Sequence, residues 1–394
     1  MSGTLVVDRT ARGHRIGLLE DDRLIEVDLA EPDPAGVGAI CLGRVRTVAQ
    51  GLDGAFVDCG LGADAFLSAR DARALSGAKR SAPIGKQVSE GQAVLVQIKR
   101  QARDGKGPRV GADIALPGLF LVHRPRIARI ELAPELARTG QAGQQERAAA
   151  LFPGGGFSLR PTAVYATDQE LADEADRLRQ GWSEIEAWAG GSRPPALLAS
   201  PTEPLHRLLL DHFSPDLERI VLGERALLLQ ARRWLEQWLP RWLESFAERL
   251  EYLPDAFEAT GAAEQLDEAL GREVALSGGG SLIIEPTAAL TAIDVNGAGT
   301  PLEVDLAAAR EVARQLRLRR IGGIVVIDFV DLESKRDRAR LDAALRAALA
   351  DDPAAVQLYP MSPLGLVELS RQRQGPSLAE LFGGVAPIEE TVDA

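Results

Sequence analysis

The run Gly323-Ile324-Val325-Val326-Ile327 constrains the fold most: no polar side chain interrupts it, and Asp328 closes it. A short apolar run of this kind reads as a strand. Helical periodicity lies on both sides, Asp305 to Arg320 before it and Lys335 to Leu349 after it. Ser281-Leu282-Ile283-Ile284 and Leu290-Thr291-Ala292-Ile293 read as two further strands. Strands alternating with helices predict a sheet covered by helices.

The rest of the chain is patterned differently. Ile40 to about Pro117 is a series of short β-like runs that include Gly43–Val48, Ala55–Asp58, Ala65–Leu67 and Ala93–Ile98, separated by glycines and polar turns. Five short strands over some eighty residues suit an OB-type barrel. Before it, Arg15–Leu19 and Leu24–Val27 flank the turn Glu20-Asp21-Asp22-Arg23, an antiparallel unit. After it, a helix is expected from Asp168 to Ala189, with Thr167 and Glu170 in a capping box. The stretch Gly190-Gly191-Ser192-Arg193-Pro194-Pro195 reads as a linker. A long helix from Glu224 to about Leu250 should break or kink at Pro240, and Trp234, Trp238 and Trp242 form a buried stripe on it. No internal repeat is present.

Composition narrows the classes. The 394 residues, 45% hydrophobic, suffice for two to four domains. No run approaches a membrane span, and the start Met1–Val7 reads as a first strand, not a signal peptide. Cys41 and Cys59 are the only cysteines, which excludes a disulfide scaffold and a zinc site built on cysteine. A cytoplasmic location is the simplest expectation. The net charge of −12 argues against nucleic acid as a whole-chain sum. Binding is local, however, and basic residues bunch at Lys99–Arg109, at His123–Arg129 and at Arg310–Arg320. Taken singly, each bunch reads as a solvated face. The acidic residues concentrate between Asp168 and Glu186.

Two aspartates occupy equivalent places. Asp294 follows Leu290–Ile293, and Asp328 follows Ile324–Ile327, each at the carboxyl end of an apolar strand, where ligands collect in α/β sheets. Neighbouring strands would make the two carboxylates converge on a hard-cation site suited to magnesium. Asn296 alternates onto the side of Asp294; Asp331 is a weaker candidate. Either aspartate alone could equally cap a helix or pin a loop. Other chemistry finds no support: no GxSxG or GxxxxGK[ST] motif occurs, and His206 and His212 lie near a leucine-rich helix as structural residues. Phe56 and Phe66 in the barrel could stack on single-strand bases, with Lys106 holding phosphate, or could fill the barrel.

These stretches together resemble the RNase E/G family, collinearly from about residue 1 to 380. Ala289–Asn296 resembles its first metal-binding motif, Ala313–Asp331 its second, and Glu368–Arg373 the element that follows; Ala55–Phe66 and Lys106-Gly107-Pro108 look like its RNA-binding barrel. The resemblance implies a multidomain α+β and α/β chain. An RNase H-like subdomain would span 1–37 and 200–268, an OB-fold barrel 38–117, a 5′-sensor-like subdomain 118–199 and a DNase I-like catalytic subdomain 269–380, with a tail at 381–394. It implies a magnesium-dependent endoribonuclease, with manganese as a substitute ion, that cuts single-stranded RNA to 5′-phosphate and 3′-hydroxyl ends. Asp294 and Asp328 would hold the metal and Asn296 would orient Asp294. Phe56, Phe66, Lys106, Arg371 and Arg373 would contact RNA, and Arg160 would bind a 5′-monophosphate.

This chain departs from that pattern in places. Pro161, without an N–H, follows Arg160 where the family has threonine, which leaves Thr162 as the substitute. The loop Gly297–Asp305 is short and lacks basic residues. No Cys-Pro-x-Cys follows Arg373, so no zinc is expected and any homo-oligomer would not be zinc-linked. The alternatives are a non-catalytic RNA-binding protein that keeps the fold, and a phosphodiesterase acting on DNA or a small nucleotide.

Overall fold

A computed structural model describes residues 3–76, 82–102, 107–133, 136 and 142–383. The chain divides into two compact units. The first comprises Met1–Ala30, Pro215–Gln230 and Glu244–Ala394; the second comprises Glu31–Ser214 and Ala231–Leu243.

Two sheets build the first unit. One is a meander, Gly3–Thr10, Gly13–Glu20 and Arg23–Ala30, extended by Leu217–Leu222 running parallel to the first strand and by Leu250–Tyr252 beyond it. Its expected turn forms with Asp21 and Asp22 at φ 47° and 60°, the left-handed region that aspartate tolerates and that tight hairpins use. The second sheet has six strands in the order Glu273–Ala275, Ser281–Pro286, Leu290–Asn296, Gly323–Asp328, Val367–Arg371, Val356–Leu358. Leu290–Asn296 and Gly323–Asp328 run parallel at its centre.

Side chains alternate along those two strands, and the faces differ. Ile293, Val295, Val325 and Ile327 are buried with Val304, Ala308, Val312 and Leu316 of the helix Pro301–Leu318 and with Leu341, Leu345 and Leu349 of the helix Lys335–Leu349. On the opposite face Ile324 is 54% exposed, and Asp294, Asn296 and Asp328 are exposed. The two helices therefore cover one face, not both. The helix Pro301–Leu318 also binds the first sheet. Arg314 donates to the Leu24 carbonyl, Arg317 pairs with Glu26, and Arg320 with Asp28. The basic bunch at Arg310–Arg320 is thus largely internal, tied to partners some three hundred positions earlier, and not a solvated face.

The second unit contains the expected barrel. Ile40–Ala49, Gly54–Asp58, Ala65–Ser68, Arg109–Gly111 and Ala93–Arg100 follow one another around it, and Ala93–Arg100 pairs back onto Ile40–Ala49 to close it. Cys41 and Cys59 are buried inside it as free thiols. A small sheet of Leu116–Pro117, Leu121–His123, Phe157–Leu159 and Ile130–Leu132 packs against the helix Asp168–Gly191, whose Thr167–Glu170 capping box forms. Within the acidic segment Asp168–Glu186, Glu174 faces inward. It is 1% exposed and accepts the N–H groups of Leu119, Phe120 and Leu121; burial nevertheless raises its pKa. The expected long helix ends at Trp238, a 3-10 turn Pro240–Trp242 follows, and Leu243–Ala247 resumes. Among the described residues no helix is long and apolar enough to cross a membrane.

Candidate functional site

The parallel register sets Asp294 directly opposite Asp328, at the carboxyl ends of adjacent strands. Both carboxylates lie on the open face, because strand alternation sends the intervening Val295 and Ile327 into the core. Asn296, two residues on, donates from Nδ2 to Asp294 Oδ2 at 2.8 Å. One oxygen of Asp294 is thereby held, and the asparagine fixes the rotamer. Among the described residues no cluster of three or more His, Cys, Asp or Glu side chains is poised around one point. Two exposed carboxylates with solvent around them do fit a magnesium ion, which keeps several of its waters and takes one or two carboxylates from protein.

The loops after the two strands meet the first turns of Pro301–Leu318. A Cβ at Gly297, next to Asn296, would lie 2.6 Å from Val304 Cγ1, so only glycine fits there. Asp305, 0% exposed, accepts the Val330 N–H at Oδ1 over 3.0 Å, while its Oδ2 is buried without a hydrogen-bond partner. Burial pushes this carboxyl up to about 6, against the lowering effect of the Val330 N–H. Nothing in the sequence marks Asp305 out, since an acidic residue near a helix N-terminus usually faces water. Asp331 is exposed, and no side-chain bond joins it to the pair.

Arg371 and Arg373 lie elsewhere. Arg371 pairs in register with Gly323, at the other end of the Asp328 strand, roughly 16 Å away along its length. Its guanidinium is buried, doubly bonded to Asp352 at 2.8 and 2.9 Å, and donates to the Ile321 carbonyl. Arg373 is exposed and lies over Gly322, where a Cβ would meet its Cγ at 2.6 Å.

In the barrel, Phe56 and Phe66 are cross-strand partners with ring centroids 5.6 Å apart at 62°. They stand on the outer face, half-exposed, while Ala55, Val57, Ala65 and Leu67 fill the interior. The ring of Phe66 lies over Gly54, where a Cβ would come within 2.3 Å of it. Arg109 is next to Phe66 in register, with Asp71 at 3.2 Å. Lys106 lies outside the described residues. In the small sheet's unit, Arg160 donates to the Leu210 carbonyl at 2.9 Å and to Asp211 at 2.8 Å. Pro161 opens a 3-10 turn, and Thr162 is buried with its hydroxyl donating to the Leu119 carbonyl.

These features define a mixed α+β protein that holds paired carboxylates at the carboxyl ends of two central strands in one unit and a small five-stranded barrel in the other. The sequence pattern of the ribonuclease E/G family matches residues 115–374, and the chain belongs to that family. It is 33% identical to Ribonuclease E of Nostoc sp. over 96% of this chain and 57% of the relative. It is 32% identical to Ribonuclease E of Synechocystis sp. over 89% of this chain and 54% of the relative. To Ribonuclease G of Salmonella typhimurium it is 28% identical over 98% of this chain and 83% of the relative. The chain therefore spans about half the length of the Ribonuclease E relatives and most of the Ribonuclease G.

Proposed function

We propose that this chain is a magnesium-dependent endoribonuclease that hydrolyses single-stranded RNA in RNA processing or decay. One observation carries the reading: Asp294 opposite Asp328 in register, with Asn296 bonded to Asp294. Asp294 and Asp328 would hold the ion. When bound, magnesium supplies activation of water and neutralisation of charge on the phosphodiester. Asn296 keeps the Asp294 carboxylate aimed. Water adds to phosphorus and the bond to the 3′ oxygen breaks, leaving a 3′-hydroxyl and a 5′-phosphate. Phe56 and Phe66 offer two ring faces for unstacked bases, and Arg373 and Lys106 offer cations for phosphate. The assignment of RNase H-like, OB, sensor-like and DNase I-like subdomains within the boundaries given above belongs to the same reading.

The Arg160 region favours weak discrimination of the 5′ end. Its guanidinium is paired with Asp211, Pro161 offers no N–H, and the Thr162 hydroxyl is bonded to Leu119.

A short fluorescent A/U-rich RNA with a 5′-monophosphate tests the proposal. Wild type with magnesium should cut it internally; Asp294→Asn should lose about a hundredfold or more, as expected on removing a charged ligand from the site. The same RNA with a 5′-hydroxyl should be cut at a similar rate. Wild type that retards the RNA on a gel without cutting it would make the chain a binding protein. Cutting that survives Asp294→Asn would misplace the site.

A further inference from the structure

The helix Pro301–Leu318 contacts both loops that leave the aspartate strands. Val304 closes over Gly297, one residue past Asn296, and Asp305 accepts the Val330 N–H, two residues past Asp328. Consecutive side chains of one helix thus hold the two strand exits. The Asp305 contact is also costly: a carboxylate at 0% exposure keeps Oδ2 buried with no hydrogen-bond partner. Simple helix packing would be better served by an apolar residue, as Ala308 and Val312 are on the following turns. A half-satisfied buried polar group calls for an explanation, and here it sits on the backbone of a candidate site.

We propose that Asp305 is a positioning residue, which sets the Asp328 carboxylate against Asp294 by fixing the backbone at Phe329–Val330. This rests on the reading of Asp294 and Asp328 as the cation site. Buried as it is, Asp305 touches neither ion nor RNA; its contribution passes through Val330. Groups that orient metal ligands change affinity or activity by 10–100-fold when removed.

The test compares wild type, Asp305→Ala and Asp305→Asn by RNA cleavage and by Mn2+ binding followed through electron paramagnetic resonance without RNA. Asp305→Ala should lower kcat by about 10-fold or more with KM for RNA little changed, and weaken Mn2+ binding by a similar factor. Asp305→Asn, whose amide oxygen accepts the same N–H, should restore both. Leu345→Ala, which destabilises the same core, should lower Tm without moving either readout. Should Asp305→Ala not fold, Asp305→Leu fills the volume, leaves the Val330 N–H unmatched and should give the same losses. Variants that match wild type in kcat and Mn2+ affinity, or an asparagine that fails to rescue, overturn this proposal alone. Wild type that neither cuts RNA nor binds Mn2+ overturns the cation site as well.

Discussion

Arg371 and Arg373 are two positions apart, look alike in sequence, and have opposite surroundings in the structure, the first buried and the second exposed. Arg371 and Asp352 form a buried bidentate pair, with side chains 2% and 4% exposed. Removing one partner of such a pair strands a charge and costs about 3–5 kcal/mol. Arg371→Ala should therefore lower the urea midpoint sharply, while the protein that remains folded binds RNA as before. Arg373→Ala should leave the midpoint in place and weaken RNA binding. Reversed behaviour would return Arg371 to the RNA surface. The sequence could not separate the two, because the distinction lies in Asp352, nineteen positions away, and in the Ile321 carbonyl. The juxtaposition of Asp294, Asn296 and Asp328 was legible for the opposite reason. Two apolar strands each ending in an acid need only be neighbours to bring them together, and the register does so.

Elements were legible where periodicity is local. The capping box at Thr167, the hairpin turn at Asp21-Asp22 and the barrel strands each follow from residues a few positions apart. Cover of the central sheet was half legible: the apolar run Ile324–Ile327 predicted helices, but not that Ile324 would be left 54% exposed. The helix Pro204–His212 illustrates a packing consequence that pH exposes. His206 sits with its ring 5.7 Å from that of Trp234 and 5.1 Å from that of Trp238, its Nε2 buried without a hydrogen-bond partner. Burial lowers its pKa from 6.5 to about 4. The folded state therefore binds fewer protons than the unfolded one between those values. The stability that neutral His206 contributes is complete above about 6.5 and falls away as pH drops towards 4, by at most about 3 kcal/mol. Asp305, with its pKa raised, works in the opposite direction, so the whole-protein profile mixes the two. The difference between wild type and His206→Phe isolates the histidine. In urea unfolding the variant should gain on wild type as pH is lowered from about 7.5 to about 5. A difference that stays constant would mean that His206 binds protons equally in the folded and unfolded chain, as a solvated imidazole does.

At the scale of the whole molecule the net charge of −12 and the proposed RNA substrate have to be reconciled. Two of the three basic bunches prove to be engaged internally. Arg314, Arg317 and Arg320 face Glu311, Glu26 and Asp28, and Arg124 faces Asp113 and Glu131. Arg126 donates to the Leu95 and Ala112 carbonyls. That leaves fewer of these arginines for phosphate, and on the proposed reading a larger share of affinity falls to base stacking on Phe56 and Phe66. The two contributions respond differently to salt. Each neutralised phosphate on a single strand adds about −0.7 to the slope of log K against log salt, whereas stacking adds none. Binding of a short single-stranded RNA to the Asp294→Asn protein, titrated from about 50 to about 200 mM KCl, should thus give a slope near −2, or about three phosphates. Phe56→Ala should then weaken binding by about 1–3 kcal/mol while leaving the slope unchanged. A slope steeper than about −5 would require about seven phosphate contacts from cations outside these paired arginines, and would overturn the larger share given to stacking.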